Sequence, residues 1–240
     1  LAVPAEVALD VVRLRREHPH WGPKKLRALL RDLGHDPPAL STVARLLKRA
    51  GLAVPRGRGR KRRWPVVTPG TVADVPNRLW TVDHKGWWRT TDGTRCEPLT
   101  VRDAHSRFIL CAVPLASSRT SAVQAEFARL FTRCGLPEVI RCDNGGPFAA
   151  RAGPHGLTRL SAWWRQLGIA LERIEPGQPA QNGAHERMHR DIATELQRQP
   201  CRTLDAERER LERWRDEYNA VRPHEALGMR RPGELYRRSA

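Results

Sequence analysis

Residues 79–113 read LWTVDHKGWWRTTDGTRCEPLTVRDAHSRFILCAV, and this stretch decides the fold class. Leu79–Trp88 is apolar and β-branched, Thr91-Asp-Gly-Thr94 is a hairpin turn signal, and Pro98–Val101 and Phe108–Val113 continue the strand pattern. A second turn is expected near Ala104–Arg107. Beyond it the period changes. Val123, Phe127, Leu130 and Phe131 mark one face of a helix that begins near Thr120 and stops at Gly135. Glu138–Cys142 reads as a short strand, Ser161–Leu167 as a helix and Ile169–Ile174 as another strand. Gln181 to about Arg198 reads as a helix with Ala184, Met188, Ile192 and Leu196 inward. Thr203–Tyr218 is a charged helix with the apolar seam Leu204, Leu211, Trp214 and Tyr218. Three antiparallel strands followed by helix, strand, helix, strand and helices predict an α/β domain, with a mixed five-stranded sheet flanked by helices.

Upstream the chain is helical and basic. Val7, Val11 and Leu14 mark one helix, and Leu26, Leu29, Leu30 and Leu33 a second behind Gly22-Pro23. Val43, Leu46, Leu47 and Ala50 mark a third, with Ser41 as the expected N-cap and Gly51 as the stop. Two amphipathic helices joined by a Gly/Pro turn suit a helix-turn-helix. Of the formal net charge of +17, residues 1–63 carry +11. The run Arg56-Gly-Arg-Gly-Arg-Lys-Arg-Arg63 holds six cations in eight positions, so self-repulsion favours an extended strap. The expected division is a helix-turn-helix DNA-binding domain at 1–54, a basic linker at 55–75 and an α/β core at 76–240. The expected DNA contacts are Lys24, Lys25, Arg45, Lys48, Arg49, Arg56, Arg58, Arg60, Lys61, Arg62 and Arg63.

Composition narrows the class further. No apolar run approaches the roughly 20 residues of a membrane span, so no membrane partner is expected. The opening LAVPAEVALD has neither the basic nor the apolar region of a secretory signal. It also lacks an initiator Met, as a piece of a longer chain would. The five Cys (96, 111, 134, 142 and 201) include no CxxC pair, which argues for reduced thiols in a cytoplasmic protein. The first Cys is residue 96, so no zinc module of the His-His-Cys-Cys kind precedes it. A sequence pI near 11.1 makes a polyanion the leading partner.

Three carboxylates resist a solvated-surface reading. Asp83 lies inside an apolar strand, where a charge is costly unless paired. Asp143 sits where a strand runs into Asn-Gly-Gly, a common place for sites in α/β sheets. Glu186 lies in the first turns of a helix, about 200° round from Met188. Each alone has a bland alternative: a turn residue for Asp143, a helix-dipole glutamate for Glu186. Together, carboxylates on separate elements can hold two hard divalent cations beside a phosphodiester.

Four separated strings then point one way: WTVDHKGWWRTTDGTRCEPLTVRDAHSRFI (80–109), IRCDNGGPF (140–148), RIEPGQPAQNGAHERMHRDI (173–192) and WRDEYNAVRPHEALGMRRPGELY (214–236). In this order they resemble the bacterial insertion-sequence transposases with a retroviral-integrase-type DDE core of RNase H-like fold. The resemblance implies metal-dependent DNA cleavage and strand transfer, with Asp83, Asp143 and Glu186 as catalytic and metal-binding residues and two Mg²⁺ or Mn²⁺ ions as cofactor. It implies double-stranded DNA as partner, both element ends and target, a homo-oligomer on DNA, and a nucleoid-associated place in the bacterial cytoplasm. No nucleotide cofactor is expected, since the chain has no GxxxxGK followed by Ser or Thr. Asp103 matches a recurrent family position outside the triad and is expected to be structural, with Arg107 as its partner. His84, His185 and His189 are expected to be structural or DNA-facing, because this chemistry prefers oxygen ligands. The Tyr218–Leu227 string is expected to clasp the core. The 42 residues between Asp143 and Glu186 exceed the usual family spacing, which fits a loop insertion at Ala149–Leu160. The rival readings are a non-catalytic DNA-binding remnant or repressor of a decayed element, and a plain nuclease of the RNase H type.

Overall fold

The computed structural model describes residues 3–53, 70–115, 120–149, 156–175 and 178–239. The basic run 56–63, and residues 150–155 of the expected insertion, lie outside the described residues. The chain divides into two units, one of Leu1–Arg63 with Arg222–Arg231, the other of Trp64–Val221 with Pro232–Ala240.

The first unit holds α1 (Ala5–Glu17), α2 (Pro23–Asp32) and α3 (Leu40–Arg49). Their apolar stripes close on one another and bury Val11, Leu26, Leu30 and Val43 completely. Pro23 at the first turn of α2 costs no hydrogen bond there. The expected cap on α3 is displaced. Ala39 is the N-cap, held extended at ψ 149° behind Pro37-Pro38, so Ser41 already lies inside the helix. Arg15 is buried, and its guanidinium donates to the carbonyls of Trp21 at 2.5 Å and Leu52 at 3.2 Å. The segment Arg222–Arg231 groups with this unit. Glu225 pairs with Lys24 at 2.6 Å, Arg231 with Asp32, and the Arg222 guanidinium lies 5.8 Å from the Trp21 ring centroid.

The second unit is the α/β core: β1 (Leu79–His84), β2 (Trp88–Arg89), β3 (Arg95–Asp103), β4 (Ile109–Leu115), α4 (Thr120–Cys134), β5 (Val139–Cys142), α5 (Arg159–Gln166), β6 (Ala170–Arg173), α6 (Gly183–Ile192), α7 (Leu204–Ala220) and the short α8 (Pro232–Leu235). Ala193–Gln197 continues α6 as a π-helical turn. The sheet runs β4–β3–β1–β5–β6, with β2 paired to the start of β3. β3 is antiparallel to β1 and β4, whereas β5 is parallel to β1 and β6. The expected sheet had five strands. The sixth arises because Gly86, at φ +85°, turns the chain after His84 and splits Leu79–Trp88 in two.

Both faces of the sheet are covered, so every residue of β4 is buried. One face packs Phe127 and Leu130 of α4 and Trp164 of α5 on Trp80, Val82, Val101 and Ile140. The other packs Met188, Ile192 and Leu196 with Leu211, Trp214 and Tyr218 on Trp88, Ile109 and Ala112.

One charge is sealed inside this second layer. Glu207 on α7 is fully buried and accepts from the Trp88 indole at 2.9 Å, the Cys201 amide at 3.0 Å and Arg210 at 2.6 Å. Glu207→Ala leaves the buried Trp88 indole and the part-buried Cys201 amide without an acceptor, and Arg210 without its carboxylate. A loss of about 3–5 kcal/mol in urea unfolding is expected. A change below about 1 kcal/mol would mean that solvent reaches this pocket.

Candidate active site

The site forms where β1 and β5 end. The parallel register pairs Thr81 with Arg141; two residues further on come Asp83, near the end of β1, and Asp143, just past the end of β5. Adjacent strands lie about 4.8 Å apart. Asp143 is fixed by its own turn, since Oδ1 accepts from the Gly145 amide at 3.1 Å. A β-carbon at Gly145 would stand 3.1 Å from Asp143 Oδ2, so the turn keeps a glycine where the carboxylate needs room. Gly145→Ala is expected to displace that carboxylate and slow strand transfer roughly tenfold. Thermal unfolding would report an almost unchanged midpoint, because φ at this position is not positive.

The third acid comes from α6. Arg141 donates to the Gln181 carbonyl at 3.2 Å and, across β5–β6, to Glu172 at 2.6 Å, which ties the start of α6 to the sheet. Asn182, just before α6, is buried and donates from Nδ2 to Asp83 Oδ2 at 3.3 Å. Glu186 follows in the first turn. Burial, and after it the charge of Asp143, pushes the Asp83 carboxyl up to about 7, with Glu186 adding in the same direction. The charges of Asp143 and Glu186 thus both reach the Asp83 carboxyl.

Histidines line its inner wall. The inward stripe of α6 is His185, Met188, Ile192 and Leu196, with His185 in the buried place expected of Ala184. Asp83 is the direct cross-strand partner of Thr100, and Thr81 lies on the same face two residues earlier. His185 Nδ1 is 2.9 Å from Thr81 Oγ1, and its Nε2 is 2.7 Å from Thr100 Oγ1. His189 Nε2 is also 2.7 Å from Thr100 Oγ1, and its Nδ1 stands 3.9 Å from Asp83 Oδ2. Burial drives His185 well below the usual imidazole value and His189 down to about 3, so both are neutral near pH 7. His84 stacks on Phe148, with centroids 5.5 Å apart, and among the described residues neither of its ring nitrogens has a hydrogen-bond partner.

Among the described residues, the potential metal-ligand atoms that all lie within 4.8 Å of one another are those of Asp83, His185 and His189; Asp143 and Glu186 are not among them. Oxygen ligands come from separate elements, and their mutual repulsion is the kind a cation relieves. Asn182 Oδ1 is buried beside Asp83 without a hydrogen-bond partner among the described residues.

Two models described as Integrase core domain match this chain, over residues 73–179 and 167–232. The uncharacterized 31.7 kDa protein of insertion element IS407 from Burkholderia multivorans is 30% identical over 234 residues, covering 95% of this chain and 80% of that protein. The chain belongs to the integrase core domain family of insertion-element transposases. A second relative, the uncharacterized 39.2 kDa protein of insertion element IS476 from Xanthomonas euvesicatoria, is 30% identical over 97% of this chain and 65% of its own length. The fold is shared with the HTLV-2 integrase catalytic core domain in complex with magnesium (TM-score 0.51, 14% identity, 68% of this chain and 98% of that one). It is shared also with the simian T-cell lymphotropic virus intasome in complex with the PP2A regulatory subunit B56 gamma (TM-score 0.53, 15% identity, 94% and 73%).

Other expected residues of the transposase fall as follows. Lys24, Arg45, Lys48 and Arg49 are exposed on α2 and α3, although Lys24 is engaged by Glu225. Lys25 lies 5.6 Å from the Trp21 ring centroid. Arg56, Arg58, Arg60, Lys61, Arg62 and Arg63 are outside the described residues. Asp103 is buried and structural, but Arg107 is not the partner its carboxylate uses. It accepts from the Asn77 amide at 2.8 Å and from the Ser106 amide and hydroxyl at 2.7 and 2.5 Å. Of the adjacent Trp87 and Trp88, Trp88 is core and Trp87 is half exposed, with the Arg95 and Arg89 guanidinium carbons 4.9 and 5.7 Å from its ring centroid. No helix among the described residues is long and apolar enough to cross a membrane.

Proposed function

We propose that this transposase cuts and joins DNA at Asp83, Asp143 and Glu186, acting as metal ligands. The observation that carries this reading is the placement of Asp83 near the end of β1 and of Asp143 just past the end of the parallel β5, with the charges of Asp143 and Glu186 both reaching Asp83. Two Mg²⁺ or Mn²⁺ ions held there would supply charge neutralisation and Lewis-acid activation for in-line displacement at phosphorus. The chain's own residues do the rest. Asn182 fixes the rotamer of Asp83, and the Gly145 amide fixes that of Asp143. Arg141 anchors the start of the helix that carries Glu186. The helix-turn-helix at 1–54 and the basic linker at 55–75 hold element-end DNA, and a homo-oligomer brings two ends together with the target. The work takes place on the bacterial nucleoid.

The test is joining of a pre-cut element end to plasmid in Mg²⁺ or Mn²⁺, with Glu186→Gln beside the parent. Metal-dependent joining by the parent that the substitution abolishes is expected. Salt-dependent binding of the end DNA without joining by either protein would instead favour the non-catalytic binder. Cleavage of RNA–DNA hybrid without joining would favour the nuclease.

A further inference from the structure

The hairpin that follows β1 carries an aromatic ring and two cations on one side. Trp88 and Cys96 pair across its strands and are buried in the core, and Arg89 and Arg95 are the next pair. Strand alternation turns Arg89 and Arg95 to the opposite side. Trp87 joins them, 51% exposed, with both guanidinium groups against its ring. The hairpin is braced from behind. The Thr91 and Asp92 amides donate to the Cys201 and Arg202 carbonyls at 2.9 and 3.1 Å, and the Trp88 indole donates to Glu207. The open ring therefore stands on a base that is already ordered, which lowers the cost of binding to it.

Like charges directly opposite each other on two strands repel. Arg95 has a carboxylate to offset its charge, Glu97 at 3.0 Å. Arg89 has the Gly93 carbonyl at 2.7 Å, and among the described residues it makes no ion pair. A cation left over beside an open indole fits a nucleotide, the guanidinium taking the phosphate and the ring taking the base. Trp and Arg also anchor protein interfaces. The unbalanced cation and the nearness of the carboxylates favour DNA. Trp87 is four Cα steps of about 3.8 Å from Asp83, so it stands at most about 15 Å away. At about 3.4 Å per stacked nucleotide, a base on Trp87 lies within about five nucleotides of a phosphate at Asp83. Bases inside a duplex have both faces covered, whereas cutting one strand frees the nucleotides beside the cut to unstack. We propose that Trp87, with Arg89 and Arg95, is a stacking platform for an unpaired base of the DNA strand beside the reacting phosphate. This rests on the carboxylate site proposed above and adds to it the place where the flanking single strand is held.

The probe is a pre-cut element end with a short single-stranded overhang that carries 2-aminopurine at successive positions, bound by the full chain without added metal. Stacking on an indole quenches the fluorescence of this base. Expected is quenching at one overhang position by the parent, lost in Trp87→Ala and kept in Trp87→Tyr. Trp87→Ala is expected to bind the overhanging end about tenfold more weakly and the blunt end as the parent does, which also shows that the variant is folded. Arg89→Gln and Arg95→Gln are each expected to lower the salt slope for the overhanging end by about 0.7. Quenching unchanged in Trp87→Ala would overturn the platform. So would overhanging and blunt ends weakened alike with a changed sedimentation coefficient, which would mark a surface between protein chains. Joining in Mg²⁺ is scored on the same proteins. A parent that joins without Trp87-dependent quenching leaves the carboxylate site standing and removes the platform. Trp87-dependent quenching by a parent that never joins keeps the platform and removes the carboxylate reading.

Discussion

Asp83→Asn abolishes strand transfer and at the same time makes the metal-free protein more stable. The loss of activity is expected to be roughly a thousandfold or more, since the substitution removes a carboxylate from the proposed metal-ligand triad. The gain in stability follows from the position of the carboxylate. Burial, with Asp143 and Glu186 adding to it, raises the folded-state value of Asp83 to about 7, against about 3.9 in an unfolded chain. The folded state therefore holds a proton that the unfolded state has released. The resulting penalty is absent below about pH 4, grows as the pH rises and is complete above about pH 7. Three pKa units set its ceiling at about 4 kcal/mol, of which Asn recovers a part, roughly 1–3 kcal/mol. Urea unfolding at pH 8 in chelator checks this, and adding Mg²⁺ should stabilise the parent but not the variant. A variant less stable than the parent in chelator would show that Asp83 is held by partners that compensate its charge.

Lowering the pH from 7 to 5 is expected to destabilise the transposase core, and to do so more steeply in Asp83→Asn. His189 is driven down to about 3 by burial first and then by Lys85, Arg102 and His84, while burial also lowers His185 and His84. All three gain protons on unfolding, where an imidazole titrates near 6.5. Their contribution is whole above that value and is lost as the pH falls toward the folded-state values. His189 alone accounts for about 2 kcal/mol at pH 5. Asp83 runs the other way, because it gains a proton in the fold between about pH 7 and pH 4. The parent profile is thus softened by one acid that the variant lacks. Denaturant midpoints at pH 7, 6 and 5 in metal-free buffer give both slopes. Parallel profiles for the two proteins would refute the opposing titration of Asp83.

The strand-and-helix order was legible because period-2 and period-3.6 patterns are local, and Asp83 stood out as a charge inside an apolar strand. What escaped notice depends on distant partners. The α6 stripe was misjudged because His185 carries no apolar signal, yet two threonine hydroxyls make it a satisfied core residue. The buried role of Glu207 is invisible in a helix as charged as α7, because its three donors include Trp88 and Cys201. Asp103 looked near enough to Arg107 to pair with it, while its actual partners include the amide of Asn77, on the far side of β1 in sequence. Thr100 was not singled out at all. Only the cross-strand register with Asp83 could have suggested it.

The two-part make-up of the helical unit has a consequence for synthesis. Its three helices leave the ribosome before the core, but Arg222–Arg231, which supplies Glu225 to Lys24 and Arg231 to Asp32, emerges only after all six strands and helices α4 to α7. A domain-by-domain order from the N-terminus is the usual course of folding during translation. Here the helices precede the core and the piece that finishes their unit follows it, so a nascent chain broken off before residue 222 carries those helices without that piece.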